Sequence, residues 1–234
     1  MTDVAGELSP SPLAGLGPVE RRTRRELILA KLRDAVSTGQ LAPGTHLAEI
    51  ELSESLGVSR GTLREALRHL QQEGLLTSDA RGRLSVRVLT EREVREVFAV
   101  RGALEALACE EVCARPDRGA VVAELERQLE LLGAPGAPVP ELVTRDLAFH
   151  ETLCRASGNE TLLQSWLNVS GLARAAITAA GTSPALANMA ADRHRPVVDL
   201  VRAGDAGAAR EFLRAHMDQA AEQVVAHLRG RATA

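Results

Sequence analysis

The chain has 234 residues, a net charge of −3, 45% hydrophobic residues and 2% aromatic residues. That length allows two modest domains with aliphatic cores, and so few rings argue against RNA or single-strand binding by base stacking. No apolar run reaches the roughly 20 residues that cross a membrane, no signal peptide opens the chain and its three cysteines lack the spacing of a secreted scaffold, so a cytoplasmic protein is expected.

The charge is unevenly spread. Between Glu20 and Arg92 there are 13 Lys and Arg against 10 Asp and Glu, a local +3 that leaves −6 for the remainder. Residues 1–19, with Pro10, Pro12 and Pro18 among small residues, read as a disordered tail. Arg21, Arg22, Arg24 and Arg25 then open an amphipathic helix that carries Leu27, Ile28, Leu32 and Val36. From Glu49 to Gly74 the pattern is helix, turn, helix: Leu52 and Leu56 lie one turn apart, Gly57 marks the bend, and Ser59 caps a helix whose apolar face is Leu63, Ala66, Leu67 and Leu70. On the opposite face Arg60, Arg64 and Arg68 recur every four residues near the helix N-terminus, beside Gly61 and Thr62. Guanidinium groups in such a stripe suit phosphates and guanine edges. A basic stripe by itself is also what a solvated helix face looks like.

Two β-prone segments, 75–78 and 84–89, follow and are joined by Asp79-Ala80-Arg81-Gly82, with Arg83 next, which predicts a hairpin. Thr90-Glu91-Arg92-Glu93 has the form of a capping box and opens a helix to about 114. Five more helices are expected over about 117–132, 141–156, 160–180, 185–203 and 206–229, broken by Pro116 and by Gly-rich or Pro-containing turns. The fold class is therefore mainly α: a three-helix unit with a β-hairpin over 20–89, then an all-helical bundle of about six helices over 90–230. Cys109, Cys113 and Cys154 fall in helical patterns and read as small buried hydrophobes.

Asp146 and His150 leave one helix face a turn apart, and His194 and His216 lie on two later helices. One carboxylate with three imidazoles suits a divalent transition ion if the bundle aims all four inward, whereas separate histidines can equally be ordinary core or surface residues. His46, His69 and His227 have no partner at ligand spacing.

The runs LILAKLRDAVSTGQLAPGTHL and LSESLGVSRGTLREALRHLQQEGLL, followed by the hairpin, resemble the winged helix of the GntR family of bacterial transcription regulators. The runs DLAFHETLCRASGNETL and DRHRPVVDLVRAGDAGAAREFLRAHM resemble the FCD domain of its FadR subfamily. The first resemblance implies operator contacts from Arg60, Thr62 and Arg64, and from Gly82 with Arg81 and Arg83 in the wing; Gly61 stands where the family usually carries a side chain. The second implies a divalent metal, zinc before nickel, manganese or cobalt, on Asp146, His150, His194 and His216. It also implies a small carboxylic acid effector at that ion, with Arg101 facing the pocket and Arg174 a further candidate. Together these point to a homodimeric regulator, a repressor by expectation, on near-palindromic double-stranded operator DNA. A regulator that senses the metal alone is the alternative. A metal-dependent hydrolase fused to a DNA-targeting module is another, but its adjacent carboxylate, Glu151, points about 100° away from His150 around the helix.

Overall fold

The computed structural model describes residues 23–180 and 189–232. The tail expected over 1–19 lies outside them. Nine helices and one two-stranded hairpin are found among the described residues. The first three helices are α1 (Arg24–Ser37), α2 (Glu49–Leu56) and α3 (Arg60–Gln72), and the hairpin is β1 (Leu76–Ser78) with β2 (Leu84–Val86). The bundle is α4 (Glu91–Cys113), α5 (Arg118–Gly133), α6 (Val139–Ala156), α7 (Glu160–Ala180), α8 (Ala191–Ala203) and α9 (Ala206–Ala232). This is the mainly α architecture expected, a winged helix followed by six helices.

Helix α1 starts at a capping box: Thr23 Oγ1 accepts from the Glu26 N–H at 3.2 Å, and Glu26 Oε2 accepts from the Thr23 N–H at 2.8 Å. It buries Ile28, Leu32 and Val36 against Leu63, Leu67 and Leu70 of α3, a core closed by Leu75, Leu76 and Val86 of the hairpin. Each such aliphatic side chain contributes about 1.5–3 kcal/mol by leaving water. Gly57, at φ +63°, ends α2 in the left-handed conformation that the sharp turn into α3 requires.

The strands pair antiparallel with Leu76 opposite Val86 and Ser78 opposite Leu84. They are shorter than the expected segments: a last cross-strand bond runs from the Arg87 N–H to Leu75 O at 2.9 Å, and the Arg87 side chain turns to Glu93 at the start of α4. The α1–α2 connection adds an edge the sequence reading did not contain: the Leu47 N–H donates to Leu84 O and the Val86 N–H to Thr45 O, both at 2.9 Å. In the bundle, α8 begins at Ala191, after 189–190 that are not helical, so it starts later than expected; the expected residues 185–188 lie outside the described ones.

The winged helix rests on α7 of its own chain. Leu172 packs against both hydrophobic cores, and Ala175 joins it on the winged-helix side. At this seam Gly39 has φ +77°, and a Cβ there would lie 2.9 Å from Thr178 Cγ2. Gly39→Ala therefore meets both backbone strain and a clash, and should destabilise the protein by about 1–3 kcal/mol. Urea unfolding of the two proteins measures this; equal midpoints would mean the seam yields freely.

Candidate DNA interface and buried metal centre

Arg60, Gly61, Arg64 and Arg68 are exposed on α3, with Thr62 half-buried among them. Ser59 caps the helix by accepting from the Thr62 N–H at 3.2 Å, and its hydroxyl lies 2.8 Å from the Thr62 hydroxyl. Arg64 Nε donates to Glu49 Oε2 of α2 at 2.6 Å, so one of its donors is already directed while the side chain stays more than half exposed. In the wing, Asp79 Oδ1 accepts from the Arg81 and Arg83 N–H groups, each at 2.9 Å, and Oδ2 accepts from Arg83 Nε at 2.7 Å. These bonds, the Arg83 backbone first, hold the Asp79 carboxyl below its ordinary range. The loop tip with Arg81, Gly82 and Arg83 is exposed. Helix stripe and wing thus both present exposed arginine residues, the kind of group that pairs with phosphate.

Four residues widely spaced in sequence meet in the bundle. Helix α6 supplies Asp146 and His150, α8 supplies His194 and α9 supplies His216; all four are buried. His150 Nε2 and His194 Nε2 are 3.1 Å apart, and Asp146 Oδ1 is 3.1 Å from His194 Nε2. One nitrogen from each of the three imidazoles falls within a 4.8 Å span. Phe149 meets the rings of His150 and His194 edge-on, and Phe212 stacks on His216 with centroids 5.9 Å apart.

The outer nitrogens decide what this cluster can bind. His194 Nδ1 lies 3.0 Å from Ala190 O, an acceptor with no proton to give, so the ring carries its proton there and turns a lone pair inward at Nε2. His150 Nδ1 lies 2.8 Å from Glu105 Oε2, at an angle poor for a hydrogen bond but with the same electrostatic preference. Two inward lone pairs at 3.1 Å repel each other unless a cation or a proton lies between them. His216 Nδ1 is buried with no partner among the described residues. Arg101, Glu105 and Asp146 with neutral imidazoles leave one excess negative charge in a water-poor space. A donor set of three imidazoles and a carboxylate with these needs fits a divalent transition ion.

Burial opposes ionisation of Asp146, but the adjacent His194 and His150 rings and the Arg101 charge outweigh it and lower its pKa. Burial, then the facing imidazoles, lower His216 to about 3. Burial pushes the Cys154 thiol up, in keeping with a small hydrophobe.

Arg101 lies at the same cavity, but its Nε and Nη2 donate to Glu105 Oε1 at 3.1 and 2.9 Å, and its guanidinium sits 5.6 Å from the Phe98 ring and 5.7 Å from the Trp166 ring. The cavity beside Arg101, Asp146, His150 and His216 measures about 20 Å³, room for an ion or about one water molecule. Arg174 lies elsewhere. Its Nη1 donates to Thr144 Oγ1 at 2.8 Å, and it lines a groove of about 420 Å³ between the winged helix and α6 and α7. Glu105 and Trp166 belong to the site without having been expected there; the available signal was two charged residues, Arg101 and Glu105, one turn apart on a face otherwise apolar.

The description "Bacterial regulatory proteins, gntR family" matches residues 24–86, and the FCD domain matches residues 96–219. The chain is 31% identical to a repressor named for the D-xylose utilization operon of Paenarthrobacter nicotinovorans, over 84% of this chain and 88% of that one. The chain belongs to the GntR family. As a GntR member with an FCD domain it is a DNA-binding transcription regulator, with α1 to β2 as its winged helix. The gluconate operon transcriptional repressor of Bacillus licheniformis is 29% identical over 61% of this chain and 58% of its own. Among solved structures, a GntR regulator from Rhodococcus sp. RHA1 shares the fold at a TM-score of 0.71 and 24% identity, covering 87% of this chain and 98% of that one.

Proposed function

We propose that this GntR regulator represses transcription as a cytoplasmic homodimer on a near-palindromic operator. A small carboxylic acid controls it from a divalent ion, zinc before nickel, manganese or cobalt, held by Asp146, His150, His194 and His216. The observation that carries the metal is the pair of buried Nε2 atoms 3.1 Å apart, with Ala190 O 3.0 Å from the outer nitrogen of His194 and the Glu105 carboxylate 2.8 Å from that of His150. When bound, such an ion supplies a Lewis-acidic anchor for a carboxylate. Support for an acid comes from the relative named for a gluconate operon, gluconate being a hydroxy-carboxylate. A cavity of about 20 Å³ is too small for one, so the acid would have to displace lining side chains such as Met189 and Met217. That requirement couples binding to helix movement. Arg60, Gly61, Thr62, Arg64 and Arg68, with Arg81, Gly82 and Arg83, form the DNA-facing surface, two copies of which would read two half-sites.

Operator binding measured across zinc concentrations, with and without a panel of small acids, tests the reading. Release that needs both metal and an acid supports it. Release by metal alone favours the metal-sensing alternative, and indifference to both overturns control from this site. The hydrolase alternative has less to stand on, since Glu151 pairs with Arg155 at 2.6 Å, away from the cluster.

In the same assay Arg64→Ala should cost about 1–3 kcal/mol of discrimination between operator and scrambled DNA if its guanidinium reads a base. An unchanged ratio with uniformly weaker binding would make Arg64 a phosphate contact instead.

A further inference from the structure

Glu105 is the buried carboxylate that the four-residue ligand set leaves out. Its Oε1 accepts from Arg101 Nε and Nη2 and, at 2.7 Å, from Trp166 Nε1; its Oε2 faces His150 Nδ1 at 2.8 Å. Three donors therefore fix the carboxylate, and its negative charge lies 2.8 Å from the outer nitrogen of the ring. An acceptor at Nδ1 keeps the His150 proton on the outer side and the Nε2 lone pair facing Asp146 and His194, the arrangement an ion needs. The third donor matters for another reason. Trp166 is on α7, six residues before Leu172, which packs into the winged-helix core.

We propose that Glu105 is a positioning residue of the ion site: it holds the ring and tautomer of His150 and joins that ring, through Trp166, to the helix on which the winged helix rests. This rests on the reading of His150 as a metal ligand. The joint is a direct chain of contacts, from ligand to carboxylate to indole, so a change in how His150 is held reaches α7 without passing through the loops.

Trp166 is the sole tryptophan of the chain, so its emission reports on the joint without a label. Metal-free full-length protein would be titrated with zinc against a chromophoric chelator while that emission is followed. The wild type should bind one equivalent, with an emission change that tracks occupancy. Glu105→Gln should bind zinc roughly 10–100-fold more weakly. Because that variant leaves Arg101 buried without its counter-charge, the double variant Arg101→Met with Glu105→Leu is the companion. Removing both charges together commonly preserves folding, yet the double variant should lose zinc affinity to a similar extent and show no emission response. A folded variant of either kind that binds within about threefold of wild type overturns the proposal, and so does a wild-type emission that stays constant while zinc binds. If the wild type takes up no zinc at all, the ligand assignment itself falls.

Discussion

Arg101→Ala should destabilise the protein by about 3–5 kcal/mol, the range for removing one partner of a buried ion pair. The guanidinium is buried, donates twice to Glu105 and lies against the Phe98 and Trp166 rings, so the substitution strands a carboxylate, removes two cation–ring contacts and leaves a void. Burial alone would raise the Glu105 pKa; the adjacent His150 ring and the Arg101 charge, with the Trp166 N–H, hold it below the carboxylate range instead. Deleting Arg101 takes that positive charge away, and Glu105 is then held ionised at greater cost. Urea unfolding at neutral pH measures the difference. A loss below about 1 kcal/mol would mean that Glu105 finds a full substitute for its arginine. Arg101 was expected from resemblance to face an acid effector; two of its donors are in use within the protein, which makes it first of all a structural cation.

The second large effect concerns the ligands. Zinc at 100 to 1,000 times its dissociation constant should raise the stability of the wild type by about 2.7–4.1 kcal/mol, as for any ligand that binds only the folded state. His194→Ala should erase that gain, because its Nε2 lies within 3.1 Å of both His150 Nε2 and Asp146 Oδ1. Thermal melts with and without the metal decide it, and an undiminished metal-dependent rise in the variant would remove His194 from the ligand set. Acid should work in the same direction. His216, lowered to about 3 by burial and the neighbouring imidazoles, stays neutral in the folded metal-free protein, whereas an unfolded histidine takes up a proton near roughly 6.5. The stability that follows is full above the unfolded value and is lost as pH falls from there toward about 3, so the metal-free protein should be weaker at pH 5 than at pH 7.

What could be read from the sequence follows the range of the forces involved. Capping boxes and turn glycines act over three or four residues, so the start of α4 at Thr90 and the bend at Gly57 were legible directly. Helical periodicity likewise gave five of the bundle helices to within about three residues, while α8 starts at Ala191 rather than 185. The pairing of Asp146 with His150 is a matter of helical pitch, whereas their approach to His194 and His216 depends on how α6, α8 and α9 pack. Only the resemblance to a known domain suggested that. Glu105 escaped both routes. Its position on α4 is plain, but its burial and its three partners come from α4, α6 and α7 together, and one sequence gives no means of telling a buried charge from a solvated one. The bridge between the α1–α2 connection and β2 was missed similarly, since a single residue pair has no periodicity.

Leu172 packs against two cores at once, which bears on how far the halves of this regulator can be treated as interchangeable parts. A winged helix moved onto another bundle would bring a surface shaped around Leu172, Ala175 and the close approach at Gly39, and would find those features only on a helix like α7. Recombination between relatives of this protein therefore has a natural exchange unit that is larger than the winged helix: the DNA-binding half together with α7.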